Sequence, residues 1–145
     1  METRQAFTGG LAGALALTIT HQLLHRFFDK APRMDLMGEE GLMKLKTAVG
    51  QPAPPKHLYE ITMAGDIAGN AVYYAAAGIG DPKNAILRGT ALGLAAGIGA
   101  VVLPKHIGLT NSYSDRSLAT KIMTIGIYTL GGFVSGAVIQ RLAKV

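Results

Sequence analysis

The sequence predicts an all-α integral membrane protein: a four-helix bundle packed through small residues of GxxxG type, with an amphipathic interfacial connector. Three observations carry that prediction. Four stretches of the chain are mostly apolar over about 20 residues, the length that spans a bilayer. Hydrophobic residues make up 49% of the 145 residues and charged ones only 16%, against roughly a quarter charged in average soluble proteins. The 19 glycines concentrate in the apolar runs, and every run carries a pair spaced by four residues.

The whole chain, 1–145, reads as one domain. The first span is expected over 6–28, AFTGGLAGALALTITHQLLHRFF, with Gly9 and Gly13. Its basic start and small-residue triplet also fit a signal peptide; we read it as a retained transmembrane helix. The second, 58–79, is the most polar and carries Gly65 and Gly69. The third, 85–103, contains Gly89, Gly93 and Gly97 and is closed by Pro104. The fourth, 117–143, contains Gly132 and Gly136. In a soluble helix each glycine costs about 1 kcal/mol relative to alanine. In lipid the same residue lets two backbones approach closely.

Between the first two spans, Met34, Met37, Leu42, Met43, Leu45 and Val49 alternate with Glu39, Glu40, Lys44 and Lys46. That pattern predicts a short helix over 34–49, lying on the membrane surface or capping the end of the bundle. Pro52, Pro54 and Pro55 then stiffen the return to the second span. An offset of 84 aligns Arg4, Gly9, Ala12, Gly13 and Ala16 with Arg88, Gly93, Ala96, Gly97 and Ala100. A parallel two-hairpin repeat would produce this match, and so would shared Ala/Gly bias.

The formal charge of +5 does not point to nucleic acid, because no cluster of five basic residues is present and aromatic residues are few. Basic residues beside apolar runs suit lipid phosphates instead. The longer loops and their flanks hold Arg26, Lys30, Arg33, Lys44, Lys46, Lys56, Lys105, Arg116 and Lys121; the other side holds Arg4, Lys83, Arg88, Arg141 and Lys144. That asymmetry predicts cytoplasmic longer loops and both termini outside. The absence of Cys removes disulfides, thiolate metal sites and Cys nucleophiles.

With four spans, both longer loops emerge on one face, and His21, His25, His57 and His106 all belong to that half. At 1.5 Å per residue, His21 lies roughly 6 Å from the middle of the first span and Asp66 about 3 Å from the middle of the second. A carboxylate at that depth is costly unless paired or hydrated, so Asp66 is the leading functional residue. Asn70 shares its helix face, and Glu60 lies nearer the headgroups. Asp66, Asn70, His21 and Glu60 are therefore the expected site for an ion, a proton or a small polar group. The plainer reading pairs Asp66 with Asn70 or His21, and His21 with Asp66 or a backbone carbonyl.

His21 and His25, four apart, can also chelate a zinc-like divalent ion with Asp66; Glu60, His57 or His106 are alternative third ligands. The plainer reading of His25 is an interfacial residue beside Arg26. Haem is not expected, because axial ligands must approach opposite faces of the iron and residues i and i+4 of one helix cannot. Tyr73 and Tyr74 read as an interfacial aromatic belt. No Ser-His-Asp order, P-loop or kinase signature occurs. The leading expectation is an accessory or transport-type membrane unit, acting as a homo-oligomer or in a larger membrane complex. Its rivals are a metal-dependent enzyme acting on lipid headgroups and a purely structural subunit.

Overall fold

The computed structural model describes residues 3–144, so positions 1, 2 and 145 of the expected domain lie outside the described residues. Among these, every regular element is helical: α1 (Thr3–Phe27), α2 (Met34–Ala48), α3 (Leu58–Ala75), α4 (Ala85–Val102), α5 (Ser112–Asp115) and α6 (Leu118–Leu142). Short 3-10 turns occupy Ala76–Gly78, Pro82–Asn84 and Pro104–His106. The boundaries follow local chemistry. Asp81 accepts a hydrogen bond from the Lys83 N–H ahead of Pro82, and α4 stops before Pro104, which cannot continue a helix. The Ser117 hydroxyl accepts from the Thr120 N–H and starts α6.

Three helices are long and apolar enough to cross a membrane: Thr3–Phe27, Pro82–Val102 and Leu118–Leu142. The sequence led us to expect a fourth over 58–79. Its helix ends at Ala75, and Glu60, Asp66 and Asn70 leave it less apolar than the other three.

The long helices form a row, α3–α1–α6–α4, in which α3 and α4 barely touch. Glycine sets the closest approaches. A Cβ at Gly89 would meet the Gly132 carbonyl, one at Gly93 the Tyr128 carbonyl, and one at Gly13 the Gly131 carbonyl. Gly9 and Gly10, adjacent in sequence, face different neighbours: Ile139 of α6 and the Ala71 carbonyl of α3. Gly65 and Gly69 differ from the expectation, with nothing within 4 Å of a Cβ at either; α3 meets α1 through Ala71 and Ala75 instead. The interior is small. Tyr74, fully buried, donates to the Tyr128 carbonyl at 2.8 Å and packs with Leu17 and Ile127. Tyr74 is thus a core residue and not part of an aromatic belt, whereas Tyr73 is exposed and donates to the Leu92 carbonyl at 3.0 Å.

The outer faces are apolar. Phe7, Leu11, Leu15, Ile19, Leu23 and Phe27 form an exposed stripe along α1 at steps of four. A stripe of that length is foreign to a water-facing surface and consistent with a membrane protein. The offset-84 repeat does not organise the fold. A two-fold exchanging α1 with α4 and α3 with α6 would turn the broad α1–α6 contact into an equally broad α4–α3 contact, which is nearly absent.

Both longer loops meet at one end. Thr120 donates to the Lys30 carbonyl at 2.9 Å, the Arg33 N–H to the Tyr113 carbonyl at 2.8 Å, and Arg116 to the carbonyls of Asp29 and Ala31. At the other end Gln5 donates to the Leu142 carbonyl at 3.1 Å and Gln140 to the Lys83 carbonyl at 2.6 Å.

Substituting Gly93→Leu drives a side chain into the α6 backbone and is expected to cost about 3 kcal/mol or more. Gly126→Ala, where a Cβ meets nothing within 4 Å, is expected to be neutral or mildly stabilising. Thermal unfolding of the two variants in detergent checks the contrast.

Candidate functional site

The loop end of α1 is built around His21, which is 4% exposed. Its Nε2–H donates to the Pro32 carbonyl at 2.9 Å. A carbonyl can only accept, so Nε2 carries the proton that makes this bond. This bond ties the chain leaving α1 back against its own helix, which brings α2 over α1 and α3. Of the two plainer partners expected for His21, the structure selects the backbone carbonyl.

Under α2 lies a cavity of about 20 Å³, lined by Leu17, Thr18 and His21 of α1, Met34, Asp35 and Gly38 of α2, and Tyr59, Thr62, Met63 and Asp66 of α3. That is room for about one water molecule. Two of these residues, Thr18 and Thr62, have hydroxyl oxygens out of solvent contact and without a hydrogen-bond partner. An unsatisfied buried hydroxyl costs about 1–3 kcal/mol, a cost that one water in this space would remove.

Asp66 stands at the rim and is exposed. Its Oδ1 accepts from the Asn70 amide at 3.0 Å, and the same amide donates to the Asp66 carbonyl at 2.9 Å. Asp66 and His21 thus share one cavity, while the carboxylate accepts its hydrogen bond from Asn70. Glu60 is elsewhere: it is exposed and pairs with His57 Nδ1 at 3.6 Å, because it lies on a different face of α3 from Thr62 and Asp66. His25 is exposed, its ring centroid 6.5 Å from that of His21 and tilted by 29°. The two rings stack instead of converging on a common point. Among the described residues no group of three or more His, Asp and Glu is placed to hold a metal ion.

Asp35 is the acidic residue that reading the sequence missed. Arg33 donates to it through Nη2 at 2.8 Å and through Nε at 3.1 Å. Burial alone would push this carboxyl up; the Arg33 hydrogen bonds and charge outweigh it and hold Asp35 below its ordinary 3.8. The same pairing raises Arg33. Further along α2, Glu40 accepts from the Thr110 N–H at 2.9 Å and pairs with Lys44 at 3.2 Å, and both interactions lower its carboxyl. Thus α2 is clamped to the last loop at two points. Helical arithmetic could have found the hydroxyls: Thr18 lies three residues before His21 and Thr62 four before Asp66, on the same faces. Asp35 carried no such signal, since its place depends on how α2 folds back.

A second cavity, about 500 Å³ and open to the side, fills the gap between α3 and α4. Met34 belongs to both cavities, and Asn70 stands in the wall of the larger one. The Asp66–Asn70 pair therefore joins the small cavity under α2 to the larger cleft.

The Arg33–Asp35 pair yields a pH prediction. The folded chain favours the ionised carboxyl, so the contribution of the pair is present above pH 3.8 and is lost as pH falls through the lower folded-state value. Asp35→Asn is expected to lose about 1 kcal/mol at neutral pH, with the difference from the native chain closing in acid. Unfolding of both proteins followed against pH checks the sign.

No protein-family model, curated protein or solved structure matches the chain.

Proposed function

We propose that the chain is a small polytopic membrane unit whose loop-end cavity binds an ion, a proton or a small polar group. The observation that carries this reading is the convergence of His21, Asp35 and Asp66, from three separate helices, on one water-sized space beside two unpartnered hydroxyls. A purely structural subunit would pair its buried polar atoms, and Thr18 and Thr62 depart from that. A metal-dependent lipid enzyme would draw on His21 and His25, and their stacked rings lend it no support.

In this reading α3 is the fourth spanning helix and the glycine contacts are the small-residue packing of a membrane bundle. The α2 helix lies at the interface as a lid, with the longer loops cytoplasmic and both termini outside. The cavity opens on the loop half alone; towards the other end the helices offer mainly Gly, Ala and aliphatic side chains. One chain therefore acts as an accessory unit, or as part of a transport assembly whose remaining path comes from another subunit. The open Gly65/Gly69 face of α3 is the surface we assign to a second copy.

A ligand that binds only the folded state stabilises it by about 2.7 kcal/mol at one hundred times its Kd. Thermal unfolding in lipid nanodiscs, scanned over pH and a panel of ions and small polar solutes, is expected to show at least one stabilising condition that Asp66→Asn abolishes. Indifference of the native chain to every condition, or an unchanged response in Asp66→Asn, overturns the proposal.

A further inference from the structure

We infer that the occupant of the cavity is one small alkali cation, of the sodium class, held by oxygen atoms of Thr18, Thr62 and Asp66. The inference rests on the reading of this cavity as a binding site and names its ligand.

Charge selects the valence. Asp35 is matched by the Arg33 guanidinium through hydrogen bonds of 2.8–3.3 Å. His21 spends its Nε2–H on the Pro32 carbonyl. Tyr59 brings a neutral phenol that accepts from Gln22 at 3.1 Å, and exposed His25 lies behind His21 on α1. Asp66 is then the one carboxylate at the cavity without a cationic partner among the described residues, its hydrogen bond coming from the neutral Asn70 amide. One negative charge is neutralised by one positive charge. A divalent ion would leave an excess charge in a poorly solvated place, at high cost.

Donor type selects the class. The free groups are two hydroxyl oxygens and a carboxylate, which suit hard cations; softer metals prefer imidazole and thiolate. The single imidazole already spends Nε2 on a carbonyl, and the chain has no Cys. Size selects among hard cations. About 20 Å³ admits one water-sized particle. It has no room for magnesium with its retained waters, and calcium is set aside by its charge. A proton on Asp66, with one water beside the hydroxyls, is the competing occupant, and the binding measurement separates the two.

Equilibrium binding of radioactive sodium to the full chain in nanodiscs, with a bulky organic cation as the balancing salt, tests this. The native chain is expected to bind one ion saturably, and Asp66→Asn to lose binding. Thr18→Val and Thr62→Val, which keep shape and remove the oxygen, are expected to weaken it by about tenfold or more. Thr62→Ser restores the oxygen and is expected to retain binding, which separates lost coordination from misfolding. Absence of saturable sodium binding to the native chain, or native affinity in both valine variants, overturns the inference. If a proton or another solute still stabilises the chain through Asp66 while sodium does not bind, the cation assignment alone falls. If Asp66→Asn changes neither measurement, the site falls with it.

Discussion

The architecture depends on backbone-to-backbone contact at the glycines around α6. Because Gly89 and Gly93 let α4 press onto one side of α6, and Gly13 lets α1 press onto another, α6 has little surface left for α3. Gly10 offers α3 a place on the far side of α1. A row results in place of a closed ring. Two features follow from that geometry. A cleft opens between α3 and α4, and the polar edges of α1 and α3 meet each other under α2. The cavity is therefore a by-product of where small residues allow close approach, and its chemistry comes from what happens to lie on those edges.

What lies there is more polar than the outer face of α1. Thr18 and His21 on α1, and Thr62 and Asp66 on α3, fall on facing surfaces, and the lid adds Asp35 together with its own counter-charge, Arg33. The His21–Pro32 hydrogen bond has two effects at once. It keeps the lid in place, and it removes one ring nitrogen from any other chemistry. Balancing Asp35 internally leaves Asp66 with the neutral Asn70 amide as its hydrogen-bond donor. The clamps at Arg33–Tyr113 and Glu40–Thr110 tie α2 to the second loop, so the loop between α4 and α6 shares in holding α2 over the cavity.

The all-helical character and three helices long and apolar enough to cross a membrane were legible in composition and run length. The common end of the two longer loops was legible from chain parity. His21 and Asp66 were placed in one region by depth alone, and they share a cavity. Other features were not legible, for physical reasons. Glu60 looked equivalent to Asp66 in residue type, but a difference of six positions turns it to another face of the helix. Gly65 and Gly69 have the spacing of a packing motif, yet nothing local says whether a partner exists. The neighbour relations of four helices, and with them the place of Asp35, are set by long-range packing that periodicity does not encode.

The account turns on α2 closing the cavity by resting on α3. A Cβ at Gly38 would lie 2.6 Å from Thr62 Cγ2, within the reach of a disulfide, and the chain carries no cysteine to confuse the result. Oxidative cross-linking of Gly38→Cys with Thr62→Cys in membranes is the most direct measurement. The account predicts rapid, near-complete cross-linking, with none when the first cysteine is moved to Gly41, whose Cβ would meet nothing within 4 Å. Failure of the Gly38 pair to cross-link, or equal cross-linking from Gly41, would contradict a lid seated on α3.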